Sequence, residues 1–379
     1  MPPEPIYFNR PRMVGKELEY IREAVASGNT SGDGRFSTAC AHVLEQRLGV
    51  QRVMLTGSCT AALEIAALLC DLAPGDEVLM PSFTFPSTAN AFVRAGAQPV
   101  FVDVRADTLN LDESLLDASV TPRTRAVVPV HYGGVACEMD TILDFAQARG
   151  LRVVEDAAQT IGSRYRGRGL GGLGDLGCLS FHETKNIHCG QGGALCLNRE
   201  ADVPRAEILR DRGTDRQRFL RGEVSHYSWV DVGSSFVLSE ILCAYLYAQL
   251  EALETIAARR RQIWGWYEEA LAPLAARECL RLPVIPSHCE PNHHIYFVIV
   301  GDGRTRDALV RHLQERAIHA VFHYIPLHQS PYAATLGPQP RLPVTEDLSA
   351  RLLRLPLYLD LHEADVARVA DAIDAFFRR

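Results

Sequence analysis

Val53-Met54-Leu55-Thr56-Gly57-Ser58-Cys59-Thr60-Ala61-Ala62-Leu63 reads as a strand that ends in a turn of small residues and opens directly into a helix. Such a turn aims free backbone N–H groups and hydroxyls at an anion, so a phosphate fits on Ser58, Cys59 and Thr60. The same residues also make an ordinary helix cap. From about Gln51 to Asn198 the pattern repeats. Short apolar runs (52–55, 77–80, 99–102, 126–129, 152–155, 177–181 and 193–197) alternate with helical stretches (59–72, 87–95 and 140–149), and a further helix is predicted over 239–260. This order predicts an α/β fold with a mostly parallel central sheet, its ligands at the carboxyl ends of the strands.

A second junction, Val153-Val154-Glu155-Asp156-Ala157-Ala158-Gln159, delivers acidic residues at a strand end among small neighbours. Asp156 held there, partly desolvated, keeps a pyridine nitrogen protonated through a charge-assisted hydrogen bond, or else serves as a cap or local ion-pair partner. The third element is an amine. Of 39 basic residues only Lys16 and Lys185 are lysine. Arginine bias reflects genome composition in many chains, but a desolvated ammonium can lose its proton and attack a carbonyl whereas arginine stays charged. Lys16 reads as a solvated residue at a helix start. Lys185 lies in Ser180-Phe181-His182-Glu183-Thr184-Lys185-Asn186, after a glycine-rich stretch. A phosphate cradle, an acid for a ring nitrogen and an amine for an aldehyde together match pyridoxal 5'-phosphate.

At 379 residues the chain has room for a large domain and a smaller one. We place them at 1–250, N-terminal segment included, and 251–379. The second is read as α+β: a strand near 296–300, a helix over 306–315, a strand near 320–323, a loop through Pro340 and a last helix over 364–377. A formal charge of -7 argues against nucleic acid or an anionic membrane as partner. Neither a membrane-spanning apolar run nor a leader-like N-terminus is present, so a cytoplasmic location is expected. Ten cysteines without a C-x-x-C pair read as reduced core thiols, and no metal-ligand spacing stands out. Gly169-Leu170-Gly171-Gly172-Leu173-Gly174 matches the dinucleotide-binding G-x-G-x-x-G, but it lacks the required strand before and helix after, so that reading is set aside.

These segments resemble the DegT/DnrJ/EryC1/StrS family of pyridoxal-phosphate-dependent nucleotide-sugar aminotransferases, nearly end to end. The motifs carrying the resemblance are Ser31-Gly32-Asp33-Gly34, Met80 to Phe85, Pro129-Val130-His131-Tyr132, Ser180 to Asn186 with Gly190-Gln191-Gly192-Gly193, Phe322 to His328, and Arg354-Leu355-Pro356-Leu357. More narrowly they are similar to the dTDP-4-amino-4,6-dideoxygalactose transaminase subgroup. The resemblance implies the fold-type I, aspartate aminotransferase-like architecture. It makes Lys185 the lysine joined to the cofactor aldehyde and Asp156 the partner of the pyridinium nitrogen. It also sets Gln159 against the ring, Phe85 stacked on it, and Cys59, Thr60 and Ser180 at the phosphate. Where the family has an asparagine that reaches the cofactor phosphate from the neighbouring subunit, this chain has Ser235, so that contact is either absent or made by the shorter serine hydroxyl.

By the same resemblance, an amino group moves from L-glutamate to C4 of dTDP-4-keto-6-deoxy-D-glucose in two half-reactions. The enzyme is expected to be at least a homodimer with sites at the interface. Arg212 and Arg218, in the arginine-dense run 210–221, either embrace the nucleotide diphosphate or sit in a solvated charged loop. His323 and Tyr324 match a family segment near the bound nucleotide sugar. His131 and His182 are either neighbours of the cofactor or satisfied core histidines. Two competing readings share the scaffold. A dehydratase of the family would carry histidine at the position of Lys185, and a non-catalytic cofactor-binding protein would not convert the cofactor with glutamate.

Overall fold

Strands buried on both faces need near-continuous apolar sequence, and the first half of the chain supplies it. The computed structural model describes residues 4–378. Its main sheet is built from β1 (Arg52–Thr56), β2 (Glu77–Pro81), β3 (Gln98–Val102), β4 (Thr124–Val127) and β5 (Arg152–Ala157). After a short excursion through β6 (Arg164–Tyr165) and β7 (Arg168–Gly169), β8 (Leu176–Ser180) and β9 (Gly193–Leu197) complete it in the order β1-β9-β8-β5-β4-β2-β3. β9 pairs antiparallel with both β1 and β8 while the other pairings are parallel, so β9 alone runs against the rest. Strand alternation sends Met54, Cys178 and Leu195 to one face, under helices Cys59–Leu69 and Pro86–Arg94. Val53, Leu179 and Cys196 face the other side, against helices Glu17–Ala26, Arg35–Leu48 and Glu240–Glu251.

The remaining chain forms a second sheet of β10 (Leu280–Arg281), β12 (Tyr296–Val300) and β13 (Leu352–Leu355), while β11 (Cys289–Glu290) joins β6 and β7. Helices Leu253–Ala276, Gly303–Gln314 and Glu363–Phe377 close over the second sheet. The N-terminal segment, grouped above with the large domain, crosses to this unit. Ile6 donates its N–H to the Ala317 carbonyl at 2.8 Å, accepts from the His319 N–H at 2.9 Å, and buries its side chain in the same core.

Two of the differences from the sequence reading bear on how the cleft is built. The single helix expected over 239–260 is two, bent by 62° at Ala252. There the Ala252 N–H reaches back to Gln249 O at 3.2 Å, tightening the last turn, while Leu250 and Leu253 stay buried on either side of the bend. No glycine or proline announces that break. The strand expected near 320–323 is reduced to one bridge, Val321 with Arg354, because the chain then leaves the sheet edge to cover the cleft described below. Among the described residues no single helix is long and apolar enough to cross a membrane.

Candidate active site

A cleft of about 840 Å³ opens where the carboxyl ends of β1, β4, β5 and β8 face the 321–325 segment and β13. Ser58 caps helix Cys59–Leu69 with its Oγ accepting from the Ala61 N–H at 3.1 Å, and Thr60 Oγ1 lies 2.7 Å from Ser87 Oγ. The first N–H groups of this helix have no intrahelical acceptor and point to the cleft end. Gly193 permits the turn to close: a Cβ there would overlap the Ser58 carbonyl carbon. Ser180, at the end of β8, accepts from the His182 N–H at 3.4 Å. The Cys59 thiol instead turns inward to Cys178 O at 3.5 Å, so Cys59 offers the cleft its backbone and not its sulfur.

Asp156 ends β5 almost fully buried. Its Oδ2 accepts from Thr88 Oγ1 at 2.6 Å and its Oδ1 from the Ala158 N–H at 3.1 Å. Thr88 is itself 2.7 Å from Thr84 Oγ1, so the carboxylate is oriented from the neighbouring helix as well as from its own strand.

Lys185 sits on the loop between β8 and β9, pinned by its N–H to His182 O at 2.9 Å and by Glu183 N–H to Gly190 O at 2.9 Å. Its side chain lines the same cleft and has no hydrogen-bond or ion-pair partner among the described residues. Burial pushes its amine below the usual 10.5, and Arg354 adds to that, while Cys59 and Asp156 act the other way. Burial also holds the Cys59 thiol well above its ordinary value, so that sulfur stays neutral and Asp156 is the effective counter-charge. Lys16, by contrast, is an exposed residue 3.6 Å from Glu251 at the start of the first helix.

Gln159 is held at both ends of its amide: Oε1 accepts from the Gly133 N–H at 2.7 Å and Nε2 donates to Tyr324 Oη at 2.9 Å. Tyr132 Oη in turn lies 3.0 Å from His323 Nδ1, and burial keeps the imidazole of His323 well below its ordinary range. Phe85 is largely exposed at the cleft mouth, its ring 6.4 Å from that of Tyr324. An anion cradle, a buried carboxylate, a desolvated amine and a fixed amide plane in one cleft fit the phosphate, ring nitrogen, aldehyde and ring face of pyridoxal phosphate.

Residues 11–374 match the DegT/DnrJ/EryC1/StrS aminotransferase family. The chain belongs to this family. GDP-perosamine synthase of Caulobacter vibrioides is 35% identical over 368 residues, covering 96% of each chain. The S. venezuelae protein DesV superposes with a TM-score of 0.91 at 31% identity, over 100% of both chains. DesI, crystallised in the presence of its TDP-sugar product, superposes with a TM-score of 0.89 at 31% identity, over 98% of this chain and 93% of its own. Members depend on pyridoxal phosphate, and this chain is a sugar aminotransferase acting on nucleotide sugars.

Three of the residues singled out in the sequence lie away from this aminotransferase cleft. Arg212 pairs with Asp211 and donates to Ser235 Oγ at 3.1 Å, and Arg218 pairs with Glu223 at 3.2 Å. Arg212, Arg218 and Ser235 are exposed and do not line the cleft of their own chain. The arginine run spends its charge internally, since Arg210 reaches Asp33 at 2.6 Å and Arg221 reaches Glu207 at 2.9 Å. His131 and His182 both border the cleft. His131 is a satisfied core residue: its Nδ1 accepts from the Cys137 N–H at 3.1 Å, so its Nε2 carries the proton toward Glu155 at 2.9 Å. His182 Nδ1 lies 3.0 Å from Thr184 Oγ1, within the lysine loop.

The cleft of this aminotransferase also contains residues to which the sequence reading gave no role. Arg260, His294 and Arg354 all line it. Arg260 is buried on the long helix, donating to His293 O at 3.0 Å and to His294 O, and burial lowers its guanidinium to about 9. His294 Nδ1 lies 2.9 Å from Asn186 Oδ1, next to the lysine. Arg260 was visible only as the middle of Arg259 to Arg261, where helical spacing puts one arginine of three on the buried side. Among the described residues no group of His, Cys, Asp and Glu can hold a metal ion, and the ten cysteines are free.

Proposed function

We propose that the enzyme moves an amino group from L-glutamate to C4 of dTDP-4-keto-6-deoxy-D-glucose, giving a dTDP-4-amino-4,6-dideoxyhexose. The observation that carries the reading is the meeting of Lys185, Asp156 and the Ser58-to-Thr60 helix start in one cleft. Bound pyridoxal phosphate supplies the aldehyde that carries the amino group and a ring that accepts the substrate carbon's electrons. Lys185 anchors the cofactor and, as a free amine, moves protons at the substrate carbon. Asp156, fixed by Thr88, holds the ring nitrogen in its protonated form. Ser58, Cys59 through its backbone, Thr60 and Ser180 take the phosphate, while Gln159 and Phe85 fix the ring plane. His323 and Tyr324 face the sugar. The dTDP assignment is supported by the subgroup motifs and by the likeness to DesI. In the test, protein, L-glutamate and either dTDP-4-keto-6-deoxy-D-glucose or a GDP-linked 4-keto-6-deoxyhexose are incubated and the products assigned by NMR. Turnover of the dTDP sugar is expected, and exclusive use of the GDP sugar would overturn the assignment.

The chain is further read as a homodimer, in which Ser235 and the arginines at 212 and 218 serve the partner's cleft rather than their own. Support comes from the surface beside Ser235, where Tyr227, Trp229, Val230 and Val232 are exposed and Trp229 is 81% accessible. A tryptophan this open, grouped with other apolar side chains, marks a contact surface. Sedimentation is expected to give a dimer, and a fully active monomer would contradict it.

A further inference from the structure

Asn186 directly follows Lys185, and its side chain is tied to the second unit. Its Nδ2 donates to the Asn292 carbonyl at 2.8 Å, and Asn292 is itself fixed, with Nδ2 donating to the carbonyls of Gln159 at 2.9 Å and Ile161 at 3.0 Å. The Asn186 amide therefore has one orientation, its Oδ1 turned to His294 Nδ1 at 2.9 Å. An amide oxygen only accepts, so His294 carries its proton on Nδ1 and leaves Nε2 as a bare lone pair. Arg260 on the long helix holds the His294 backbone through its carbonyl. The residue is only 7% exposed and lines the cleft, while Nε2 has no partner among the described residues and is not sealed off. Burial, with the positive charge of Lys185, Arg260 and Arg354, holds the imidazole well below its ordinary range, so it stays neutral.

A buried lone pair held in a fixed direction calls for a donor. Of the molecules the reaction brings to this place, L-glutamate and its keto acid present carboxylates, which only accept, and an amine that is consumed at the cofactor. The sugar alone brings hydroxyls, which donate. In a 4-keto-6-deoxyhexose the neighbours of C4 are C3, which bears a hydroxyl, and C5, which bears a methyl group. We infer that His294 is a specificity residue for the sugar, its Nε2 accepting from the C3 hydroxyl beside the reacting carbon, with Asn186 as the positioning residue that fixes its tautomer. This rests on the keto-sugar reading above. A site that leaves its acceptor unpaired until the hydroxyl arrives rejects sugars lacking it.

The test compares wild type, His294→Phe and His294→Gln as cofactor-loaded proteins. Three quantities are read: the Kd of dTDP-6-deoxy-D-glucose, an unreactive sugar with the same C3 hydroxyl, by calorimetry; single-turnover kcat/KM for the keto-sugar and for its 3-deoxy counterpart; and the single-turnover rate with L-glutamate. Wild type is expected to prefer the keto-sugar over the 3-deoxy sugar about 10- to 100-fold, the range for a buried group left unpaired. His294→Phe should lose that preference, weaken dTDP-6-deoxy-D-glucose binding and lower keto-sugar kcat/KM by a similar factor, the loss falling on the sugar and not on L-glutamate. His294→Gln, whose amide can still give Asn186 a donor and the sugar an acceptor, should fall between. Equal use of the two sugars by wild type overturns the assignment, whether or not the phenylalanine variant folds. So does a preference that survives in His294→Phe, or a loss equally large with L-glutamate, which would mark a role in holding Lys185. Failure of wild type to aminate the dTDP sugar would sink the substrate reading instead, and the same comparison then runs on the GDP-linked 4-keto-6-deoxyhexose and its 3-deoxy counterpart.

Discussion

Lys185→Ala is expected to leave a folded protein with no measurable turnover and no visible absorbance from lysine-bound cofactor. Proton transfer by a positioned amine is worth about 10²- to 10⁴-fold by itself, and the covalent anchor is lost with it. Stability should be unchanged or slightly raised. Among the described residues the side chain has no hydrogen-bond or ion-pair partner, and removing it relieves a desolvated ammonium. Lys185→Arg should be equally inactive, because guanidinium cannot give up its proton in the working range. The depressed lysine value adds a pH signature. Capture of pyridoxal phosphate by the apo protein needs the unprotonated amine, so its rate should rise with pH and level off below 10.5. Stopped-flow absorbance would follow it. An alanine variant with wild-type activity, or a capture rate still rising beyond 10.5, would refute the role given to Lys185.

Much of this cleft was legible because its parts are local. Ser58 to Thr60, Asp156 and Ser180 each sit at a strand end that the apolar pattern marks, and Lys185 follows one strand within five residues. The sheet order then brings β5 beside β8 with Asp156 opposite Cys178, so short-range signals converge without long-range information. Arg260, His294 and Arg354 could not be read in the same way. They come from the second unit, and their place at the cleft depends on how the bent helix pair at Ala252 folds that unit back, a bend carrying no glycine or proline. The arginine-dense run misleads for a related reason: charge density is visible in sequence, but the carboxylates that consume it, Asp33 and Glu207, are distant or on another face. The family resemblance supplied Gln159 and Phe85, which pattern alone would not have chosen.

Glu155→Ala is expected to cost about 3–5 kcal/mol, a large part of the stability of an ordinary protein. The reason lies in the glycine-rich run that resembles a dinucleotide fingerprint. Its N–H groups are indeed gathered around an anion, but the anion is the chain's own: Glu155 Oε2 accepts from Gly171 at 2.8 Å, and Oε1 from Leu173 at 2.6 Å and Gly174 at 2.7 Å. His131 adds a fourth donor at 2.9 Å, and Glu155 is fully buried. Gly171 can bring its N–H to bear because it takes a φ of 91°, which a side chain would strain. Removing the carboxylate strands four buried donors where water has little access. Burial raises the Glu155 value, but His131 and the Gly174 and Gly171 N–H groups outweigh it and hold the carboxyl below its ordinary 4.5. Its stabilisation is therefore complete above about 4.5 and is lost as pH falls through the lower folded value, so wild type and variant should converge in acid. Function should suffer indirectly. His131 donates its backbone N–H to the Asp156 carbonyl at 3.3 Å, so a loosened Glu155 site also loosens the end of β5. Urea unfolding of the apo protein between pH 7 and pH 3, with cofactor Kd measured alongside, checks both effects. A variant within about 1 kcal/mol of wild type at pH 7 would show that the glycine loop is held by something other than this carboxylate.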